Sequence, residues 1–340
     1  MRFIGVDLHK NTFTTAYRTP GEEEPVIKTY KMNSLGLKDF IESLQSTDMV
    51  ALETLCNTYY FVDEIKAYVK EVQIVNTRKF KIIKQSGKKT DKNDAKLIAL
   101  YLEKGLLPTV RYQDKESRDL KSLITTRDKL VSIRSGIKNK IHALFMSNGI
   151  NSQKKDIYNQ KNIEAILTNY DISESNRFEI TVLLQQIDIL NENIKTLTKR
   201  VEQCGSKLEN NENLISITGI GKLSSAILIN GIGNIKDFQS EKALFSYFGI
   251  VPFVSDSGES VRHGHITKWG NRLLRKTLVQ ITFTAIRYNQ FLSNYYKRKK
   301  TEKGAGKAII ATSRKVLKII YDTLKNNWIF EDFNNFVLAS

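Results

Sequence analysis

Along the first third of the chain, short apolar runs alternate with segments whose apolar residues have helical spacing. The apolar runs predict strands, because they are rich in β-branched and aromatic residues. The predicted strands cover residues 2–7, 12–17, 26–31, 49–53 and 72–75. Helices are predicted over 34–44, with Ser34 as the N-cap, over 60–69, and from Asp91 onward. This order favours an α/β sheet domain of the ribonuclease H type over residues 1–112.

Strand signals are absent from the middle of the chain, residues 113–208. Apolar residues there keep an approximate helical period in two runs, from Leu120 to Leu144 and from Ile180 to Leu197, with charged residues in the gaps. The spacing predicts long paired helices that are joined by a turn over residues 148–160. A coiled coil and an ordinary helical bundle fit this spacing equally well.

The last region, residues 209–340, is predicted to be mainly helical. Its segment Ile215–Lys222 places Gly-Ile-Gly after an apolar run, a pattern typical of a helix-hairpin-helix turn, although Gly-x-Gly also occurs by chance. Glycines permit the tight turn, and the amides at the start of the next helix can bind a phosphate. Gly231 and Gly233 predict a second break. The candidate nucleic-acid contacts in the first turn are Gly219, Gly221 and Lys222.

The charge balance indicates a polyanionic partner. Lys and Arg total 53 against 36 Asp and Glu, a formal net charge of +17, and such an excess favours phosphate contacts with nucleic acid. Two distant cysteines, Cys56 and Cys204, indicate a reducing cytoplasm, and four histidines without close Cys/His spacing argue against a zinc site. No apolar run reaches the roughly 20 residues that span a bilayer, and Asp7 interrupts the apolar N-terminus. Neither a membrane partner nor a signal peptide is therefore expected.

Four acidic residues stand where a sheet of this type would bring them together. Asp7 ends the first predicted strand, Glu53 ends the fourth, and Asp91 and Asp94 are three residues apart at a helix start. The ends of the first and fourth strands lie side by side in a ribonuclease-H-like sheet, and residues three apart share a helix face. Converging carboxylates need a cation to remain ionised, and their hard oxygens favour Mg²⁺. Individually, Glu53 could mark a strand exit, and the two helix aspartates could serve only the helix N-terminus.

A run of basic residues leads into the two helix aspartates. Such a run beside a carboxylate centre suits the delivery of a phosphate backbone to a bound metal, and a solvated helix face is the alternative. The candidate nucleic-acid contacts in this run are Arg78, Lys79, Lys84, Lys88 and Lys89.

Several motifs resemble those of the insertion-sequence DEDD transposase family, of the insertion-sequence one-ten type. Residues 4–10 (IGVDLHK) are similar to the family's opening motif, and residues 75–78 followed by 89–95 are similar to its second signature. Residues 217–221 open a segment that resembles the family's C-terminal transposase domain. That domain's core is matched in order and spacing by residues 249–252, 257–258 and 266–275. The resemblance covers nearly the whole chain, and the helical middle is its least distinctive part.

The resemblance implies a bridge-RNA-guided serine recombinase. The family's four acidic residues fall on the four acids named above, and its nucleophilic serine before a glycine falls on Ser257, with Ser255 as a rival. One departure is Leu55, which follows Thr54 where the family usually has glycine. The family also implies a guide RNA that pairs with donor and target DNA. It further implies a homo-oligomer, dimeric or tetrameric, whose sites combine domains of different subunits, and a bacterial cytoplasmic, nucleoid-associated location.

The expected chemistry is DNA strand transfer through a phosphoserine link on Ser257, with Mg²⁺ on the carboxylates polarising the phosphate. Basic residues near this serine are candidate phosphate clamps, and for the last two of them a solvated helix face is the alternative. These candidates are Arg262, Lys268, Arg272 and Arg275.

Two other functions stay open at this stage. A metal-dependent, structure-specific DNA nuclease similar to Holliday-junction resolvases would activate water with the carboxylates and would need no serine nucleophile. A nucleic-acid-binding assembly protein without catalysis would need neither the carboxylates nor the serine.

Overall fold

The computed structural model describes residues 1–77, 79–80, 90–151, 160–257 and 260–331, with the backbone alone at 160–161 and 254–263. The described chain divides into two compact units, Met1–Asp114 and Lys115–Ser340. The first unit is built on a sheet and the second is mostly helical. The chain therefore has the mixed α/β and α composition that the sequence predicts.

The first unit contains a six-stranded sheet with the order β3-β2-β1-β4-β5-β6. β1 pairs parallel to β4 and β4 parallel to β5, whereas β2, β3 and β6 join as antiparallel strands. The predicted adjacency of the first and fourth strands is confirmed, and the topology is consistent with a ribonuclease-H-like fold. The strands are β1 Phe3–Leu8, β2 Thr12–Arg18, β3 Val26–Lys31, β4 Met49–Glu53, β5 Glu71–Val75 and β6 Thr109–Val110.

Alternation along β1 assigns its residues to the two faces of the sheet. Ile4, Val6 and Leu8 belong to one buried cluster with Phe40 and Phe61, which lie on two helices of the opposite layer. These helices are α1, Ser34–Glu42, and α2, Thr58–Ile65. The N-cap of α1 is Asn33 and not Ser34 as predicted, because the Asn33 side chain accepts a hydrogen bond of 2.9 Å from the Gly36 amide.

Helix α3, Asp91–Glu103, packs on the other face of the sheet, and small residues make the approach close. A Cβ atom added at Gly5 would lie 2.1 Å from the Ala95 carbonyl oxygen and 2.5 Å from the Ala99 nitrogen. Ala16 on β2 is buried with these two alanines. The helix can therefore lie almost directly on the backbone of β1, and its first turn reaches the end of that strand.

The second unit begins with the two long helices that the sequence predicts, α4 Lys115–Ser147 and α6 Glu174–Gly205. They run antiparallel, because Arg127 donates to the Thr198 hydroxyl at 2.7 Å and Arg134 to the Asn191 side-chain oxygen at 2.7 Å. Between them lies α5, Gln160–Asn169, a helix that was not predicted from the sequence and that begins where the predicted turn ends. Ile163 of α5 is buried against both long helices, which explains why a short helix persists there.

The other described residues of the second unit form further helices and a hairpin. The helix Lys222–Ile232 contains Gly231, which was wrongly predicted to break the chain; a Cβ there would meet the Leu274 side chain at 2.4 Å. The helix ends instead at Gly233, whose φ is +67°. No described helix is long and apolar enough to cross a membrane. The elements are α7 Asn211–Ile215, α8 Lys222–Ile232, α9 Glu241–Phe248, β7 Pro252–Ser257, β8 Ser260–Ile266, α10 Arg272–Tyr288, α11 Gln290–Lys303 and α12 Ala305–Asn326.

Candidate active site

Two of the predicted acids lie at the carboxyl ends of neighbouring parallel strands, at the same edge of the sheet. Val6 of β1 pairs with Leu52 of β4, so Asp7 and Glu53 each follow by one residue. Asp7 is buried, with 8% of its surface exposed, and Glu53 is half-buried. Both residues line a cavity of about 340 Å³.

The other two acids reach the same cavity from the first turn of α3. Thr90 is the N-cap, since its hydroxyl accepts a hydrogen bond of 3.3 Å from the Asn93 amide. Asp91 and Asp94 are therefore not needed as caps, and both line the cavity. Asp91 is exposed and Asp94 is buried, with 8% of its surface exposed. The positive end of the helix dipole stabilises carboxylates at this position.

His9 joins two of these acids and was missed by the sequence analysis. Its Nε2 atom lies 3.1 Å from Asp7 Oδ2 and 3.2 Å from Asp91 Oδ2. The sequence contained one signal for His9: it stands two residues after Asp7, and residues two apart at the end of a strand point to the same side. The imidazole thus holds the strand carboxylate and the helix carboxylate close together.

The electrostatics of Asp7 favour a bound cation. Burial raises the pKa of Asp7 above its ordinary value, and the nearby Asp91 and Asp94 carboxylates raise it further, while His9 acts in the opposite direction. A buried acid surrounded by other acids is stabilised in its ionised form by a counter-charge. The arrangement therefore suits a positively charged ion in the cavity.

The donor set fits a divalent metal ion. One ligand atom from each of Asp7, His9 and Asp91 lies within 4.8 Å of the other two, and Glu53 and Asp94 line the same cavity. Carboxylate oxygens suit Mg²⁺ and Mn²⁺, and an imidazole nitrogen also admits transition metals. A metal held here would lie at the open edge of the sheet, where a phosphate can approach.

The predicted basic run beside this site is only partly described. Lys79 is exposed and follows β5 closely in sequence. Arg78, Lys84, Lys88 and Lys89 lie outside the described residues.

The predicted helix-hairpin-helix turn separates α7 from α8 in the second unit. Gly219 has a φ of +100°, and a Cβ there would come within 3.1 Å of the backbone of α10. Gly221 is the N-cap of α8 and would meet nothing within 4 Å. Gly219 therefore serves packing, whereas Gly221 and the exposed Lys222 leave the helix start open to a ligand.

The predicted nucleophile lies on the hairpin of the second unit. Ser257 is the last residue of β7, and its backbone pairs with Ser260 of β8. The rival Ser255 pairs with Arg262. These strands were not predicted, because polar residues and a glycine dominate this segment of the sequence.

Three of the predicted phosphate-binding residues follow the hairpin closely in sequence. Lys268 and Arg272 are exposed. Arg275 is half-buried, and its Nη1 atom donates to the Phe248 carbonyl at 3.0 Å and to the Gly270 carbonyl at 3.5 Å. The guanidinium of Arg275 therefore has a structural partner in the second unit, while the other two side chains face solvent.

The sheet topology is consistent with a ribonuclease-H-like domain of the DEDD type, and the acidic cavity suits a divalent metal ion. A family model for the DEDD transposase of IS110 elements, described as a transposase, matches residues 4–147. A second model, described as the transposase IS116/IS110/IS902 family, matches residues 211–297. The chain is therefore similar to two domain models of IS110-family transposases, one in its first part and one in its second.

Three relatives are similar to this chain over most of its length. The transposase for insertion sequence element IS1111A of Coxiella burnetii is 23% identical, over 95% of this chain and 90% of that protein. The transposase for insertion sequence element IS1328 of Yersinia enterocolitica is 24% identical, over 82% of this chain and 81% of that protein. The pilin gene-inverting protein of Moraxella bovis is 27% identical, over 97% of both chains.

Proposed function

We propose that this protein is an RNA-guided DNA transposase or recombinase that cuts and rejoins DNA strands through a phosphoserine intermediate. The observation that carries the proposal is the meeting of Asp7, Glu53, Asp91 and Asp94 around one cavity. These acids come from two strands and a helix that are far apart in sequence, in a chain that is similar to both transposase domain models. An acidic cluster with that origin is suited to work on phosphates.

Ser257 is the proposed nucleophile. Its hydroxyl oxygen attacks the phosphorus of a DNA phosphodiester, a serine–phosphorus bond forms, and the bond from phosphorus to the 3′ oxygen breaks. The serine proton ends on the released 3′ oxygen. In the second step the 3′-hydroxyl of another strand attacks the phosphoserine, which restores the serine and its proton. One phosphoester bond is exchanged for another at each step, so no nucleotide hydrolysis is needed.

The carboxylates are proposed to hold Mg²⁺. Asp7, Glu53, Asp91 and Asp94 would hold it, and when bound the ion supplies positive charge that polarises the phosphate and offsets the charge on the leaving oxygen. The chain's own contribution is to fix the acids: the sheet edge sets Asp7 and Glu53, and α3 sets the other two. His9 keeps Asp7 and Asp91 together through its two contacts.

Donor and target DNA and a guide RNA are the proposed partners, and a homo-oligomer, dimeric or tetrameric, is the proposed active form. The net charge of +17 supports polyanionic partners. The descriptions of the relatives support recombination of DNA, since two are transposases and one inverts a pilin gene. The paired helices α4 and α6 are the proposed coiled-coil region. Exposed cations available to phosphates include Lys79, Lys222, Lys268 and Arg272.

The second candidate function is a metal-dependent, structure-specific DNA nuclease. It is favoured by one observation: all four acids and His9 belong to Met1–Asp114, so the acidic cavity is complete within the first unit. In that case water attacks the phosphorus, and Ser257 has no chemical role.

A covalent-adduct assay tests the proposal and separates the two candidates. DNA labelled at the 3′ end of the cleaved strand should remain attached to the wild-type protein on a denaturing gel. Ser257→Ala should abolish both the adduct and strand joining, while Ser255→Ala, the matched control two residues away, should retain them. Asp7→Asn should lose both through loss of the metal site.

The possible results have distinct meanings. An adduct that survives in Ser257→Ala but disappears in Ser255→Ala would identify Ser255, and not Ser257, as the nucleophile. Nicked product without any adduct, unaffected by Ser257→Ala but lost in Asp7→Asn, would establish the nuclease and end the serine mechanism.

A further inference from the structure

Two exposed aromatic rings stand together on the second unit. Trp269 has 79% of its surface exposed and Phe253 has 47%. Their ring centroids are 6.3 Å apart, with the rings inclined at 73° to each other. Single exposed apolar side chains are ordinary, but a bare indole beside a second exposed ring offers a π-surface to a ligand.

The backbone that carries Trp269 is held in place by its neighbours. The Lys268 amide donates to the Gly249 carbonyl at 3.1 Å, and the Thr267 amide donates to the Val251 carbonyl at 2.9 Å. A Cβ at Gly270 would lie 2.0 Å from the Tyr247 carbonyl oxygen. The loop is thus pressed against the end of α9 on both sides of the tryptophan, and the indole is exposed on a fixed support.

The conformation of Lys268 adds to this observation. Its φ is +55°, in the left-handed region that a side chain rarely adopts. Such backbone persists where the surroundings impose it, and it is found most often at ligand-binding and catalytic positions. The left-handed conformation of Lys268 turns the chain immediately before Trp269. This turn lies between the backbone contacts of Gly249 and Gly270.

The surroundings of the ring pair are basic. Lys268 precedes the tryptophan, Arg272 follows it at the start of α10, and both are exposed. Aromatic platforms flanked by cations are the usual means of binding unpaired nucleotides, because bases stack on the rings while the cations neutralise phosphates. An apolar protein surface is a less suitable partner, because positively charged residues flank the two rings.

We propose that Trp269 and Phe253 form a stacking platform for an unpaired base of the DNA strand that the protein cleaves. Phe253 and Ser257 lie on the same strand, β7. At about 3.3 Å per residue, the platform stands roughly 13 Å along the strand from the proposed nucleophile, a distance of a few nucleotides. The assignment to the cleaved DNA strand rests on the proposed function. The base must be unstacked from its duplex before it reaches the indole.

Intrinsic fluorescence gives a direct reading of this platform. The chain has two tryptophans, Trp269 and Trp328, so Trp328→Phe leaves Trp269 as the reporter. Single-stranded DNA should quench this signal as it binds, a fully paired duplex of the same sequence should quench it much less, and RNA of that sequence should compete poorly. Quenching by RNA without quenching by DNA would overturn the assignment to DNA.

Affinity measured by the anisotropy of a labelled single-stranded oligonucleotide gives the second reading. Loss of one stacked base should weaken binding of Trp269→Ala by about 5-fold to 150-fold. Trp269→Phe should recover part of that loss, because it restores a ring. The matched control is Phe178→Ala, which removes a ring with 72% exposure from α6 and should leave the affinity unchanged.

The outcomes separate this proposal from the proposed function. Equal affinity of Trp269→Ala and the wild type would overturn the platform. Ser257→Ala should bind the oligonucleotide as the wild type does. Normal quenching in a wild-type protein that forms no covalent adduct would count against the serine mechanism and leave the platform standing.

Discussion

At the residue scale, the ionised carboxylate of Asp7 is unfavourable in the folded protein as long as no cation faces it. Burial raises its pKa above the ordinary value of 3.8. Between that value and the raised one, the folded chain binds more protons than the unfolded chain, so the free energy of unfolding falls as the pH rises through this window. At pH values above this window the carboxylate is ionised and its full destabilising effect on the folded protein remains. A substitution that removes the charge should abolish this effect.

Asp7→Asn should therefore raise the melting temperature of the metal-free protein at neutral pH. The same variant should gain nothing from added Mg²⁺, whereas the wild type at about 100 times the dissociation constant should gain roughly 2.7 kcal/mol of stability. Calorimetry with and without the metal measures both effects. Asp39→Asn, an exposed carboxylate on α1, is the control and should behave like the wild type. A lower melting temperature for metal-free Asp7→Asn would contradict the account of its burial.

At the scale of elements, the acidic cavity depends on how closely α3 lies on the sheet. Asp91 and Asp94 are carried by this helix, while Asp7 is fixed by β1. Gly5 is the point of closest approach, and its missing side chain lets the two backbones meet. Any side chain at position 5 must displace α3, and Asp91 and Asp94 must move with this helix.

Gly5→Ala should consequently lower both stability and metal affinity. The added methyl group would meet the Ala95 carbonyl oxygen at 2.1 Å, and overpacking of this kind costs about 1–3 kcal/mol. Gly136→Ala is a matched control in α4, where nothing lies within 4 Å of the new Cβ, and it should be neutral or stabilise by up to about 1 kcal/mol. Urea unfolding and metal titration measure the two variants. Normal metal affinity in a destabilised Gly5→Ala would show that α3 is not what positions the acids.

The sequence predicted the sheet and the carboxylate set because both follow from local patterns. Short apolar runs mark β1 and β4, which are buried along most of their length, and the spacing of Asp91 and Asp94 marks one helix face. The contact of His9 with Asp91 was not predictable, since it depends on how α3 docks on the sheet. The structural role of Arg275 was not predictable for the same reason, because the two carbonyls that it binds belong to the end of α9 and to the loop before α10, which meet only in the folded chain.

At the scale of the whole molecule, most of the net positive charge is carried by residues 115–340, and only a small part of it by residues 1–114. The net charge of +17 attracts any nucleic acid through counterion release. Such attraction carries no sequence information and weakens steeply as salt increases. The proposed guide RNA would therefore have to be recognised by more than charge, and its binding should survive salt that removes random RNA.

Purification from cells, with washes of increasing ionic strength and sequencing of the retained RNA, measures this difference. The proposed function predicts one discrete RNA, transcribed from sequence flanking the protein's own gene, that remains bound after cellular RNA has been washed away. Ser257→Ala is the control, because it keeps the charge and lacks only the nucleophile, and it should retain the same RNA. A retained fraction that mirrors total cellular RNA and declines with salt at a single slope would mean that the charge acts alone. The DNA-cleaving chemistry would then have to find its target without an RNA guide.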